Sequence, residues 1–499
     1  MIEIFHNVGY GFQVACQPYN LMYCFFGVLI GTLVGVLPGL GPAAAIALLL
    51  PTTFHVAPVS ATIMLAGIFY GAMYGGSTTS ILVNIPGEAA SVVTCIDGYQ
   101  MARKGRAGPA LGISAFGSFI AGTFSVIALT FVGPFLANIA LAFGPPEYFS
   151  LMIVGITVLT YLSSGSMIKS LMMAGIGLIL SGVGMDTIAG KYRFTFDIPA
   201  LLDGVGVVPV AMGLFGISEV LLNLETEIKR DLLTTKVKNL FPSLKDWGLS
   251  IWPIIRGSIL GFFLGIIPGG GAVIASFASY AIEKKISKHP EEFGKGAIQG
   301  VAGPESANNA GAGGSFIPLL TLGIPANPVT AILLGALMIH GLTPGPLLIK
   351  DAPDLFWGTI VSMYIGNGML LVLNLPLIPL WVKVLKVPYY LLYPLILLFC
   401  LIGAYSLDNN VADVIIMLIF GILGFLMKKY RYDGAPLILA LVLGQKLETS
   451  LRRALIMSHG DFSTFVTRPI SLAFLITAVL LLIVPIITGR KKLSTLPDE

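Results

Sequence analysis

The hydrophobic positions of this chain run in long unbroken tracts. No Asp, Glu, Lys or Arg occurs from Ile4 to Gly87, and the same holds for Ala107 to Pro146, Gly257 to Ile282, Ser306 to Ile349, Leu355 to Val382 and Pro469 to Gly489. A helix crosses the roughly 30 Å hydrocarbon core of a bilayer with about 20 apolar residues, so each tract has room for at least one. An outer-membrane barrel would instead need strands of about ten residues alternating with polar lumen positions. These tracts are continuously apolar. The pattern predicts an all-α polytopic integral membrane protein of about 10–14 transmembrane or re-entrant helices.

Composition narrows the function classes. Of 499 residues, 56% are hydrophobic and 11% charged, against about 25% charged in soluble chains. There are too few polar residues to cover soluble domains, so a soluble enzyme and a disordered chain are excluded. A net charge of +4 with no basic cluster in the first hundred residues leaves no nucleic-acid footprint. The 59 glycines and 31 prolines suit membrane helices. Met1 to Phe12 has no basic n-region, so no cleavable signal peptide is expected. Cys16, Cys24, Cys95 and Cys400 show no Cys-x-x-Cys spacing and read as small buried hydrophobes.

One charged interruption divides the chain. Residues 223–250 carry Glu225, Glu227, Lys229, Arg230, Asp231, Lys236, Lys238 and Lys245, and read as a cytoplasmic loop between a first membrane half, 1–222, and a second, 251–499. The terminal Arg490, Lys491 and Lys492 point to the same side. Lys428-Lys429-x-Arg431 and Lys446 to Arg453 also look cytoplasmic, yet only Gly434 to Gln445 separates them, so charge alone leaves the direction of the spans open. The halves carry a repeat. Gly27, Gly31, Gly35, Pro38, Gly39 and Gly41 match Gly257, Gly261, Gly265, Pro268, Gly269 and Gly271 at a constant offset of 230. Gly75-Gly76-Ser77 matches Gly313-Gly314-Ser315, and Ile85-Pro86 matches Ile324-Pro325. The repeat cores span about 27–111 and 257–348.

The repeats contain helix breakers inside membrane tracts. Pro268-Gly269-Gly270-Gly271 sits in the middle of Trp252 to Ile282, with Arg256 near one end and Glu283 after the other. A helical hairpin or discontinuous helix is predicted there. Pro38-Gly39-Leu40-Gly41 is its counterpart, and Gly75, Gly76, Gly313 and Gly314 read as further turns. Irregular backbone at membrane depth must be buried in protein or line a cavity, so paired breaks point to a binding site. Free N–H groups at resuming helix starts attract anions.

Ser77, Thr78, Thr79 and Asn84 from one half, with Glu305, Ser306, Asn308, Asn309 and Ser315 from the other, are the candidates for substrate or ion binding. The plainer reading of any single Gly or Ser is close helix packing. Glu305 could bind a cation, carry a proton or sit at an interface. Asp97, Asp186, Asp203 and Glu219 read as span ends. The five histidines show no metal spacing. Catalytic motifs are missing, and Ser77 or Ser114 with His340 would be the sole nucleophile–base candidates.

Gly35-Val36-Leu37-Pro38-Gly39-Leu40-Gly41-Pro42, Pro268-Gly269-Gly270-Gly271 and Gly303-Pro304-Glu305-Ser306-Ala307-Asn308-Asn309-Ala310 resemble the large permease subunit of tripartite tricarboxylate transporters, the TctA family. The resemblance implies a symporter of the bacterial inner membrane, working with a small membrane subunit and a periplasmic solute-binding protein that delivers a carboxylate such as citrate. It implies no organic cofactor and a coupling cation, sodium or proton, with any sodium site unassigned. A charge argument agrees. The repeated patches contain no Lys or Arg, and helix N-termini supply about +0.5 each, so a di- or trianion calls for co-bound cations. The rival reading is a passive anion channel.

Overall fold

Glycine faces decide how the helices meet. The computed structural model describes residues 2–37, 41–162, 166–186, 188–225, 239–267, 271–385 and 389–487. Pro38, Gly39, Pro268, Gly269, Gly270, most of the charged connecting loop and the terminal basic cluster lie outside the described residues. The first helices are α1 (Ile2–Ala15), α2 (Pro18–Val36), α3 (Pro42–Leu49), α4 (Pro58–Val83), α5 (Val92–Arg103), α6 (Ala107–Ala140), α7 (Pro145–Leu162) and α8 (Met167–Ser181). An antiparallel hairpin of β1 (Gly184–Asp186) and β2 (Lys191–Arg193) precedes α9 (Val207–Glu225). Then come α10 (Leu244–Ile266), α11 (Gly271–Ile286), α12 (Gln299–Gly314), α13 (Phe316–Leu322), α14 (Pro328–Ile339) and α15 (Pro353–Asn374). The last are α16 (Tyr389–Asp408), α17 (Val411–Lys429), α18 (Ala435–Met457) and α19 (Pro469–Ile487).

Among the described residues, seven helices are long and apolar enough to cross a membrane, and shorter apolar helices accompany them. The all-α polytopic expectation holds. Pro18, Pro42, Pro58, Pro328 and Pro353 each open a helix, where the missing N–H costs nothing.

α2 packs along α4 with almost no side chain between them. A Cβ on Gly31 would lie 2.5 Å from the Ile68 carbonyl oxygen, and one on Gly71 2.8 Å from that of Val28. α10 meets α12 the same way, with Gly257, Gly261 and Gly265 facing the carbonyls of Gly303, Ala307 and Gly311. Such small-residue faces let membrane helices approach backbone to backbone.

This corrects one expectation. Gly75 and Gly76 are not a turn; they lie inside α4. A Cβ on Gly75 would collide with the Thr32 carbonyl, and one on Gly76 would lie 2.9 Å from Glu88 Cγ. The glycines mark close approach, not a break. Gly313 and Gly314 do end α12, and Ser315 alone separates it from α13.

The second repeated segment is a hairpin. Arg256 grips Glu283 with two hydrogen bonds, Nε to Oε1 at 2.8 Å and Nη2 to Oε2 at 2.6 Å. Arg256 lies about as far before the end of α10 as Glu283 lies past the start of α11, so their contact makes the two helices run antiparallel. α11 also lies on α12, where Ser276 Oγ donates to the Pro304 carbonyl at 3.1 Å.

The basic clusters at 428–431 and 446–453 lie at opposite ends of α8, against the expectation that both face the cytoplasm. Lys169, at the start of α8, donates to the Tyr430 carbonyl at 2.6 Å. Ser181, at its end, lies against Gly444. Lys428 and Lys429 pair with Glu219 and Glu225 at the end of α9. Arg452 instead reaches the β-hairpin, 2.6 Å from Asp186, and Glu448 holds Arg193 at 2.8 and 2.9 Å. The Ala189 N–H, together with Arg452 and the Ile188 N–H, holds the Asp186 carboxyl below its usual range. Charge counting fails here because Arg452 is matched to carboxylates rather than free in a loop.

Cys24 and Cys400 are buried as expected, whereas Cys95 is half-buried and Cys16 exposed.

A leucine on a glycine face should force the pair apart. Gly261→Leu is expected to cost at least about 1–3 kcal/mol and to lower the melting temperature of the detergent-purified chain. Gly9→Leu, with no atom within 4 Å of its Cβ position, should melt with the parent. Equal melting of both variants would show that the glycine face is not needed for packing.

Candidate functional site

The two glycine-faced pairs bring the polar segments of α4 and α12 into one buried cluster. Glu305, on α12, is 0% exposed. Its carboxylate accepts hydrogen bonds from Ser77 on α4, Thr94 on α5 and Ser114 on α6, the last at 3.1 Å. Four helices thus converge on one side chain. Protein encloses Glu305 on every side.

One turn along α12, Asn308 donates through Nδ2 to Glu88 Oε1 at 3.0 Å, while its Oδ1 has no partner. Glu88 is 7% exposed. It caps the helical turn that leads into α5, accepting from the Ala90 N–H at 2.6 Å, while its own N–H donates to Ser91 Oγ at 3.2 Å. Asn309 donates to Ser118 Oγ at 2.7 Å and to the Glu305 carbonyl at 3.0 Å.

The other candidates are placed more plainly. Thr79 Oγ1 donates to the Val36 carbonyl at 2.6 Å and ties α4 to the end of α2. Thr78 is buried on α4. Ser306, inside α12, and Ser315, just past its end, back-bond to the carbonyls of Ala302 and Ala312. Asn84 is exposed and ends α4 in the left-handed conformation, φ 58°. Gly323 ends α13 likewise, φ 65°. Gly41 caps α3, and Gly271 opens α11 with φ 41°.

Sequence reasoning missed Glu88, Thr94 and Ser118, and considered Ser114 only as a nucleophile. Glu88 falls just past the charge-free tract that ends at Gly87. The signal available was Glu88-x-x-Ser91, a capping pattern directly after Pro86-Gly87. Asp97, read as a span end, is fully buried and organises the approach to α12. Its Oδ1 accepts from the N–H groups of Gly294, Gly296 and Ala297 at 2.6–2.9 Å, and its Oδ2 from Tyr280 at 2.9 Å. The nucleophile–base reading does not assemble. Ser77 and Ser114 both serve Glu305, whereas His340 faces Thr53 at 3.4 Å. Among the described residues no three His, Cys, Asp or Glu side chains converge, so hydroxyl and amide oxygens dominate what the cluster could offer an ion.

Membrane helices packed around a buried polar centre, with helix starts inside the bundle, are the frame of a polytopic membrane transporter. The chain belongs to the tripartite tricarboxylate transporter TctA family, whose model matches residues 21–439. That family is one of transporters, so this chain is not an enzyme. It is 53% identical over 494 residues, 98% of each chain, to the "uncharacterized 52.8 kDa protein in TAR-I ttuC' 3'region" of Agrobacterium vitis. An "uncharacterized protein in TAR-II ttuC' 3'region" of the same organism is 53% identical over 242 residues, 48% of this chain and all of that one. No solved structure matches.

Removing the central acceptor should loosen four helices at once. Glu305→Ala leaves three buried hydroxyls without it, at about 1–3 kcal/mol for each group left unsatisfied. Ser114→Ala removes a single donor and should cost less. Thermal unfolding of the purified variants checks the order. A Glu305→Ala chain that melts with the parent would remove this network from the forces that hold the helices.

Proposed function

We propose that this chain is the large permease subunit of a cation-coupled secondary transporter. It takes up a small organic anion, a di- or tricarboxylate such as citrate, across the bacterial inner membrane. A periplasmic solute-binding protein delivers the anion, and a small membrane subunit completes the complex. The observation that carries this reading is a buried polar centre beside helix starts, with carboxylates and no basic side chain in it.

Each part has a physical support. Gly41 brings no side chain to cap α3, so the first N–H groups of that helix stay available to an anion. Gly271, the first residue of α11, likewise brings no side chain to that helix start. An anion bound there would meet Glu88 and Glu305 close by in the same core, so its entry calls for positive charge to enter with it. Ser77, Thr78, Asn308, Asn309 and Ser315 are the side chains that would contact the solute or the ion. The centre is packed shut, with Glu305, Asn308 and Thr79 each 0% exposed. A passive pore would keep a wet path, so alternating access fits better. We read the chain as two related halves, 1–222 and 251–499. The capping of Glu88 by Ser91 and of Asn327 by Thr330 in matching loops supports the pairing.

Cells carrying the complete system, with and without this chain, should be offered labelled di- and tricarboxylates in sodium and sodium-free buffers over a range of pH. Accumulation of a solute against its gradient, abolished when the cation gradient collapses, is expected. Equilibration without accumulation would establish the channel instead, and a flat response to every carboxylate would remove the substrate class.

A further inference from the structure

We infer that Glu88 and Glu305, with Asn308 set between them, form the binding site of a sodium ion. The inference rests on the cation-coupled reading above and assigns that cation its place.

Charge balance comes first. Both carboxylates are buried, and among the described residues the ion pairs involve neither of them. Buried charges are paired or hold metal ions, and an ionisable group at membrane depth marks an ion or substrate path. Glu305 is held by neutral hydroxyls, and Glu88 by a backbone N–H and an amide. Neither arrangement brings a full positive charge.

The second observation is Asn308. Its side chain is 0% exposed, and the amide nitrogen is spent on Glu88, yet Oδ1 has no hydrogen-bond partner. A buried carbonyl oxygen without a donor costs free energy. A cation beside it would satisfy that oxygen. Glu305 and Asn308 are three residues apart on α12, so they share one face of the helix. Ser77, Thr94 and Ser114 surround the Glu305 carboxylate and add hydroxyl oxygens from three further helices.

The ligand set selects the ion. Oxygen ligands alone disfavour soft transition metals. Magnesium demands near-ideal octahedral geometry and keeps several waters, which a closed core does not favour. A coupling ion must also leave in every cycle, which favours one charge over two. Sodium meets these conditions. Ligands drawn from α12 and from α4, α5 and α6 would make ion occupancy and the packing of these helices depend on each other. Occupied, the site would present the incoming anion with less negative charge.

The test uses the full-length chain, purified in detergent in a potassium background, with radioactive sodium as the probe. Saturable binding is expected, weakened at least about tenfold in Glu88→Gln and Asn308→Ala, because losing even an outer-shell partner of a metal ligand costs about ten- to a hundredfold. Thr94→Ala and Ser114→Ala should weaken it less, and they keep the test open if a carboxylate variant does not fold. Glu291→Gln, at an exposed carboxylate outside the cluster, should bind as the parent does. In parallel, the half-saturating sodium concentration for uptake should rise by the same factor as the binding constant. No saturable sodium binding to the parent, or equal binding by all variants, overturns the site. So does uptake driven equally well by a proton gradient in sodium-free buffer, although the coupled reading then stands. Saturable sodium binding with uptake indifferent to every cation gradient supports the site and overturns the transport reading instead.

Discussion

Backbone carbonyls pressed onto glycine faces set the geometry on which the rest of the molecule depends. Within a bilayer no hydrophobic force draws helices together, because lipid tails are as apolar as leucine, so close packing and hydrogen bonds must do it. Gly31 and Gly71 bring α2 and α4 into backbone contact, and Gly261 and Gly265 do the same for α10 and α12. These contacts shield α4 and α12 from lipid, and only shielded helices can carry Ser77, Thr79, Glu305 and Asn308 at this depth. Polar side chains on a lipid-facing helix would lack partners. Shielding alone leaves an unsatisfied core, and the converging hydroxyls of α4, α5 and α6 supply what Glu305 needs.

Much of this was legible in the sequence, and the parts that were not have a common cause. Charge-free tracts gave the helices because apolar length is a property of one segment. The antiparallel α10 and α11 were foreshadowed by breakers between two charged ends, and Arg256 with Glu283 closes that loop of reasoning. Gly75-Gly76 was misread because a glycine pair looks the same whether it bends a helix or admits a neighbour. Only the partner, Thr32 on α2 or Glu88 across the loop, tells the two apart. Thr94 and Ser118 carry no motif at all, and their meaning comes from Glu305 and Asn309, about 200 residues away in sequence. Glu305 itself stood out because an acid between Pro304 and Asn308 has no reason to be there in a packing helix.

Charge along the sequence misled in the same way. Lys428 and Arg452 look alike in a count of basic residues. Yet one pairs with Glu219 beside the end of α9, and the other with Asp186 on the β-hairpin, at opposite ends of α8. A positive-inside argument assumes solvated charges in loops. Arg452 lies on a continuous helix and is neutralised by a partner more than 260 residues upstream, so it gives no vote on orientation. Glu448 and Arg193 are matched in the same network, which makes the β-hairpin a fixed ornament of that end rather than a loop.

The matching loops after α4 and α13 carry the last step. Both leave their helix through a left-handed residue, Asn84 or Gly323, pass an Ile-Pro pair and re-enter helix through a capping box. At the cap itself the two differ. One loop places Glu88 there, and the other Asn327. Both side chains can accept the cap hydrogen bond, so helix capping does not explain the choice of a carboxylate in one. A buried carboxylate costs far more to desolvate than an amide, and its donors here, the Ala90 N–H and the Asn308 amide, bring no full positive charge to offset that cost. The difference therefore belongs to what the loop faces. Glu88 meets Asn308 and the Glu305 core, while Asn327 lies beside Gly271 at the start of α11. Two loops of one design thus differ at the cap, and the proposed coupling would use that difference: Glu88 toward the cation, and the start of α11 beside Asn327 toward the anion.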